Sequence, residues 1–191
     1  MFGCSQTKHP MNPIDLIDRY YAAQPPLRAL LMRHSNQVAD YALDICRAHP
    51  NWNADTDFIR EAAMLHDIGI FLCNAPKVFC FGNEPYIRHG FLGGQILREA
   101  GLPRHARVAE RHTGSGLTIQ QIIRQDIPLP KQNWMPETIE EKVICYADKF
   151  FSKSRPNQIA TPEAIRRQME YFGEDALENW LKLENEINTY E

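Results

Sequence analysis

The 191-residue chain has no long apolar run. Its uninterrupted apolar stretches are a few residues, such as Ile70-Phe71-Leu72-Cys73, where a membrane-spanning helix needs about 20. It has no large charge excess of either sign: 21 Lys and Arg stand against 24 Asp and Glu, a formal net charge of −3. Wide binding of a phosphate backbone needs a basic face, so extended nucleic acid is not an expected partner, though the balance allows a local basic pocket. Cysteines are few and odd in number. Cys4, Cys46, Cys73, Cys80 and Cys145 contain no C-x-x-C pair, which argues against a disulfide framework and a zinc ribbon. Cys46 and Cys145 fall in apolar-periodic segments and read as small core residues. Residues 1–13 carry one Lys and no apolar core, unlike a signal peptide, so the expected compartment is the cytoplasm, with no membrane contact. No segment alternates apolar and polar residues between hairpin turns, and no internal repeat is present.

What is present is helix after helix. Apolar residues make up 43% and charged residues 24%, ordinary globular values for a chain able to bury a core without disulfides. A short helix follows Asn12-Pro13, and Pro25-Pro26 opens a long one reaching about His49, with Leu27, Leu30, Leu31, His34, Val38 and Ala42 on one face. Asp57 is read as the cap of a third helix running into His66-Asp67-Ile68-Gly69, with Gly69 as terminator. Residues 70–84 show no period and read as a lid or binding loop. Further helices are expected from Pro85 to Ala100, Pro103 to about His112, Ile119 to Arg124, Pro136 to Phe151, from Thr161-Pro162-Glu163 to Gly173, and from Glu174 to about Tyr190. The fold class is all-α and compact: a 1–24 extension with a short helix, a 25–155 body, and C-terminal helices over 156–191 packed on it.

Seven histidines divide into two groups. His9, His49 and His105 sit in a loose terminus or beside helix boundaries and read as solvated. His34 lies on an apolar helix face, His66 adjoins Asp67 at the end of another, His89 comes early in its helix and His112 late in its own, while Asp148 ends the run Val143-Ile144-Cys145-Tyr146-Ala147-Asp148. Burying such groups is costly unless each is paired or bound to an ion. Imidazoles and carboxylates arriving from five helices suit divalent transition metals, with room for a second ion.

The run Ala62-Ala63-Met64-Leu65-His66-Asp67-Ile68-Gly69, with His34, His89, His112 and Asp148 around it, resembles the HD superfamily of metal-dependent phosphohydrolases in its His-Asp-Ile-Gly variant, over roughly residues 28–155. The resemblance implies that His34, His66, Asp67 and Asp148 bind one ion, and that Asp67 bridges to a second ion bound by His89 and His112. The ions are expected to be iron or manganese, with zinc, cobalt, nickel and magnesium as alternatives. Glu110-Arg111-His112-Thr113-Gly114 followed by Asp148 is similar to HD-type diadenosine tetraphosphate hydrolases, which makes a small phosphorylated nucleotide, a dinucleoside polyphosphate first, the expected substrate. The loop from Asn74 to Pro85 is longer than in that subgroup, and the Gly-Tyr-Pro element of cyclic-dinucleotide phosphodiesterases is absent. The superfamily also offers two other classes: a di-iron oxygenase, and a silent regulatory module that binds metal or nucleotide. The assembly allowed is a monomer or a homodimer.

Phosphoryl chemistry also needs cations. Arg33, Arg88 and Arg111 each directly precede an expected ligand, and Lys149, Lys153 and Arg155 follow Asp148. Lys149 is preferred because it adjoins a ligand, and it joins Asp67 as an expected catalytic residue. Gly114, in Gly114-Ser115-Gly116, is a candidate phosphate cradle, and the loop residues Phe71, Lys77, Phe79 and Phe81 read first as a loop packing its own small core and second as a nucleobase stack beside a cation.

Overall fold

The computed structural model describes residues 12–155 and 157–189. Among them are α1 (Pro13–Tyr21), α2 (Pro25–Ala48), α3 (Thr56–Leu65), α4 (His89–Glu99), α5 (Pro103–Arg111), α6 (Ile119–Arg124), α7 (Ile139–Asp148), α8 (Pro162–Tyr171) and α9 (Glu174–Asn188). None of the helices there is long and apolar enough to cross a membrane. The expected all-α class holds, with one addition in the segment read as an irregular loop. β1 (Asn74–Ala75) and β2 (Cys80–Phe81) pair antiparallel, Asn74 opposite Phe81 and Ala75 opposite Cys80. The reversal between them runs through Phe79 at φ 61°, a left-handed residue that a two-residue ladder gives no periodic signal for.

Two helix starts differ from the sequence expectation for one reason: a side chain that satisfies an orphan N–H outranks a nearby proline or acid. Asp55, not Asp57, caps α3, its Oδ1 accepting from Phe58 N at 3.1 Å. Thr138, not Pro136, opens α7 through a capping box: Thr138 Oγ1 accepts from Glu141 N at 3.3 Å while Glu141 reaches back to Thr138 N at 3.4 Å. After Pro85 a single 3-10 turn, Tyr86–Arg88, precedes α4, so His89 becomes its first residue.

Two buried clusters fill the interior. One joins α2 and α3 to α7, α8 and α9 through Val38, Ala42, Ile59, Ile144, Ile165 and Trp180, with Tyr146 stacked flat on Trp180 at 5.1 Å. The other joins α1, the start of α2 and the end of α3 to α4 and α5 through Leu16, Tyr21, Leu31, Leu65, Ile68 and Leu97. Where they meet, α3 ends.

Gly69 is not a left-handed terminator: its φ is −87° and α3 already stops at Leu65. Its role is close approach. A Cβ there would lie 2.3 Å from His89 O and 2.4 Å from Gly93 N, both backbone atoms that cannot yield. This contact sets the His66-Asp67 turn against the first turn of α4. Gly69→Ala is therefore expected to destabilise the fold by about 1–3 kcal/mol or more. The measurement is thermal unfolding, with a fall in metal retention beside it; an unchanged melting temperature would refute the crossing.

Candidate metal centre

The structure brings His34, His66, Asp67, His89, His112 and Asp148 together, one or two from each of five helical segments. The two oxygens of Asp67 face different donor sets. Oδ2 lies 3.2 Å from His34 Nε2 and 3.1 Å from His66 Nε2. Those same nitrogens lie 3.0 Å and 3.5 Å from Asp148 Oδ1. Oδ1 lies 3.4 Å from both His89 Nε2 and His112 Nε2, which are 3.0 Å apart. Two groups of atoms with ligand spacing result, His34/His66/Asp67/Asp148 and Asp67/His89/His112, sharing Asp67.

The backbone orients the imidazoles. Nδ1 of His66, His89 and His112 each meets the carbonyl three residues earlier: Ala63 O at 2.6 Å, Tyr86 O at 2.6 Å and Ala109 O at 2.8 Å. An Nδ1–H donated to a carbonyl leaves the Nε2 lone pair facing the cluster, the arrangement of a metal-ligating histidine. Burial, aided by neighbouring His112, pushes His89 down to about 3, and burial likewise lowers His112, so both rings are neutral. At His66 burial opposes the charged form, but the carboxylates of Asp67 and Asp148 outweigh it and raise the ring to about 9. Positive charge is thus favoured where His66, Asp67 and Asp148 converge, whether a proton or a divalent ion carries it. Burial pushes the Asp67 carboxyl up, yet Lys153 and His66 hold it well below the usual carboxylate range, and Lys149 and Lys153 do the same for Asp148.

Fit for a metal can be judged from unmet polar atoms. Nε2 of His34, Nε2 of His66 and Oδ1 of Asp67 are buried without a hydrogen-bond partner, and Oδ2 of Asp67 has the Lys153 ammonium beside the imidazoles. Most buried polar groups find one, and a cluster of orphans pointing at a common space is what an ion would satisfy.

A cavity of about 840 Å³ adjoins the centre, with Asp148, Lys149 and Lys153 in its wall. The hairpin contributes Lys77 and Val78, and α8 contributes Ala164, Arg167 and Gln168. The segment expected to be a lid or binding loop therefore borders the cavity, through Lys77 and Val78. Its Phe71 instead packs on Tyr20 at 5.5 Å and Tyr21 at 5.3 Å, while Phe79 and Phe81 are exposed.

The expected substrate cations divide. Lys149 is at the centre, its Nζ donating to Asp148 Oδ2 at 2.6 Å and to His112 O at 3.0 Å. The three arginines preceding ligands are elsewhere, because neighbouring helix positions point about 100° apart. Arg33 is exposed on α2. Arg88 pairs with Glu84, and Arg111 is held by Met135 O and Glu137 Oε1, each at 2.6 Å. Gly114 is left-handed at φ 62°, but the turn it starts is tied to α9, Ser115 Oγ donating to Ala176 O at 2.8 Å. None of these four lines the cavity.

Lys153, one of the cations following Asp148 in the sequence, reaches the centre. Its Nζ forms an ion pair with Asp67 Oδ2 at 2.6 Å. It reaches back after α7 has ended, where the chain is folded by Ala160 N donating to Phe150 O at 2.8 Å, so helical periodicity could not point to it. His105, read as solvated, is buried, with Nε2 3.3 Å from Glu61 and its ring edge-on to Phe58. Here a signal existed: His105, Val108, Ala109 and His112 form an i, i+3, i+4, i+7 stripe. His49 is half-buried and stacks on Trp52 at 4.3 Å. His9 lies outside the described residues.

The HD-domain family matches residues 31–152. The chain belongs to the HD-domain family, whose members are generally metal-dependent phosphohydrolases. An uncharacterized protein of Methanocaldococcus jannaschii is 28% identical over 83% of this chain and 88% of its own length. Two proteins named tRNA (cytidine(56)-2'-O)-methyltransferase are also similar. That of Thermoplasma volcanium is 28% identical over 92% of this chain, and that of Picrophilus torridus 33% identical over 66%. This chain spans 46% and 33% of those two proteins. No solved structure matches significantly.

Proposed function

We propose that this protein hydrolyses a phosphoester or phosphoanhydride of a small nucleotide, with two divalent ions held by His34, His66, Asp67 and Asp148 and by Asp67, His89 and His112. The observation that carries the reading is the buried set of atoms at ligand spacing in which the two oxygens of Asp67 face separate imidazole pairs. The donors are nitrogen and oxygen without thiolate, a set compatible with iron or manganese and also with zinc, cobalt or nickel. When bound, such ions lower the pKa of a coordinated water and neutralise phosphoryl oxygens.

The chain's own residues do the rest. Lys149 ties Asp148 to the end of α5 and so fixes the carboxylate's direction. Lys153 keeps Asp67 ionised and lines the cavity, where its ammonium can donate to a non-bridging phosphoryl oxygen. Burial of the six ligands excludes bulk water from all sides but the cavity. Among nucleotides, a dinucleoside polyphosphate ranks first. Its support is the sequence run ending in His112-Thr113-Gly114, since Glu110 and Arg111 are occupied by Arg98 and Glu137.

The methyltransferase names of two relatives do not carry over by themselves, because this chain spans less than half of each. The test is anaerobic purification, metal analysis, and a screen of phosphoesters and dinucleotides with manganese, iron, cobalt or nickel. Metal-dependent release of phosphate or of a mononucleotide is the expected result. Oxygen consumption by the reduced iron-loaded protein, with no phosphoester turned over, would overturn it in favour of an oxygenase.

A further inference from the structure

Among the described residues, most cations outside the cavity wall are paired with a carboxylate. Arg98 pairs with Glu110, Arg104 with Asp55, Arg107 with Glu137 and Glu141, and Arg166 with Glu184. Lys77, Arg155 and Arg167 form no ion pair with any carboxylate among the described residues, and all three line the cavity. Glu163, one turn before Arg167, feels its charge without contacting it. The other described cations without a carboxylate partner, Arg19, Arg33 and Lys131, lie outside the cavity wall. With Lys149 and Lys153, five cations face a space whose wall has one acidic residue, Asp148, in a chain of net charge −3. Like charges gathered on a concave wall repel one another and focus a positive potential into it, which an entering anion relieves.

The five are not equivalent. Lys149 and Lys153 are already engaged by Asp148 and Asp67, and they stand where a phosphoryl group at the centre would sit. Lys77 comes from the hairpin, Arg155 from the segment after α7, and Arg167 from α8, so three separate elements each supply an uncommitted charge. One phosphate at the centre leaves these three without a partner. We infer that Lys77, Arg155 and Arg167 form a second anion subsite that binds phosphate charge beyond the reacting phosphoryl group, so that the ligand is a linear polyphosphate chain, as in a nucleoside di- or polyphosphate, rather than a monophosphate. The volume of about 840 Å³ accommodates such a ligand, within the roughly 300–1,000 Å³ range of small-molecule sites. The inference rests on the hydrolase reading for its first phosphate only.

The test is calorimetry on the full chain as isolated, with magnesium in excess of the added anion so that chelation strips no metal from the protein. Inorganic tripolyphosphate is expected to bind more tightly than orthophosphate. The Lys77→Ala, Arg155→Ala, Arg167→Ala variant is expected to weaken tripolyphosphate binding about tenfold or more. The charge-retaining Lys77→Arg, Arg155→Lys, Arg167→Lys variant restores most of it. Lys182→Ala, which removes a cation paired with Glu178 on α9, is the control expected to change nothing. Equal binding of the two anions by the parent chain, or undiminished tripolyphosphate binding by the triple alanine variant, would overturn the subsite. So would tighter binding of a short oligoribonucleotide than of tripolyphosphate. If the preference and its loss are seen but no phosphoester is turned over, the subsite stands and the hydrolase reading fails; turnover with unaltered anion binding in the variant gives the converse.

Discussion

Asp67→Ala is expected to lower metal-dependent turnover by at least about three orders of magnitude, because the two donor groups proposed to hold ions lose their shared residue. The geometry makes this residue unlike its neighbours. Oδ2 is the oxygen nearest His34 and His66, and Oδ1 the one nearest His89 and His112. Removing a histidine weakens one group of donors; removing Asp67 weakens both. A second effect falls on the fold. Lys153 is largely buried and its ion pair is with Asp67, so truncation strands an ammonium at a cost of at most about 3–5 kcal/mol, reduced because Lys153 keeps an edge on the cavity. Asp67→Asn preserves the shape of the side chain and separates the two effects: metal content and turnover fall, while helical circular dichroism persists. Full activity in a metal-free Asp67→Ala protein would sink the assignment.

How much of this was legible in the sequence depends on whether a residue's position follows from helical periodicity. The inward face of α2 points His34 at the core, and the apolar runs of α3 and α7 carry His66-Asp67 and Asp148 inward, so the convergence of the ligands could be anticipated from spacing and family resemblance together. The same geometry, followed one step further, argues against Arg33, Arg88 and Arg111. Each adjoins a ligand and is therefore turned about 100° away, into solvent or into ion pairs with Glu84 and Glu137. In the sequence Lys153 is only one of the cations following Asp148; its reach to Asp67, and the cavity wall, depend on where the chain turns after α7 and on how α8 packs, both tertiary matters. The β1–β2 hairpin escaped for a different reason: two residues per strand are too few for alternation to register, and its reversal hinges on one phenylalanine at positive φ. His105 was misjudged by its nearness to Pro103, although the stripe through Val108 and His112 shows it facing α3.

Whether one ion or two occupies this centre decides the class of chemistry, and His89 and His112 are the residues that test it. Neither is needed to complete the group formed by His34, His66, Asp67 and Asp148. As purely structural histidines they would be poor choices. Their Nε2 atoms stand 3.0 Å apart, and with each ring neutral and its Nδ1–H given to a backbone carbonyl, neither Nε2 has a proton to donate to the other. As ligands, each uses Nδ1 to anchor on the backbone carbonyl three residues earlier and offers Nε2 to a site that Asp67 Oδ1 completes. The His89→Ala, His112→Ala double variant is accordingly expected to fall from two ions per chain to one and to lose about 10²–10³-fold in turnover, the effect of removing one preorganised electrostatic stabiliser. His89→Gln with His112→Gln repeats the test with less volume removed from a packed interior, so that a cavity is not mistaken for a lost ligand. Metal content is read by elemental analysis after oxygen-free loading with iron or manganese. One ion per chain in the saturated parent protein, together with unchanged turnover in either double variant, would show that these histidines are structural and that the centre works with a single metal.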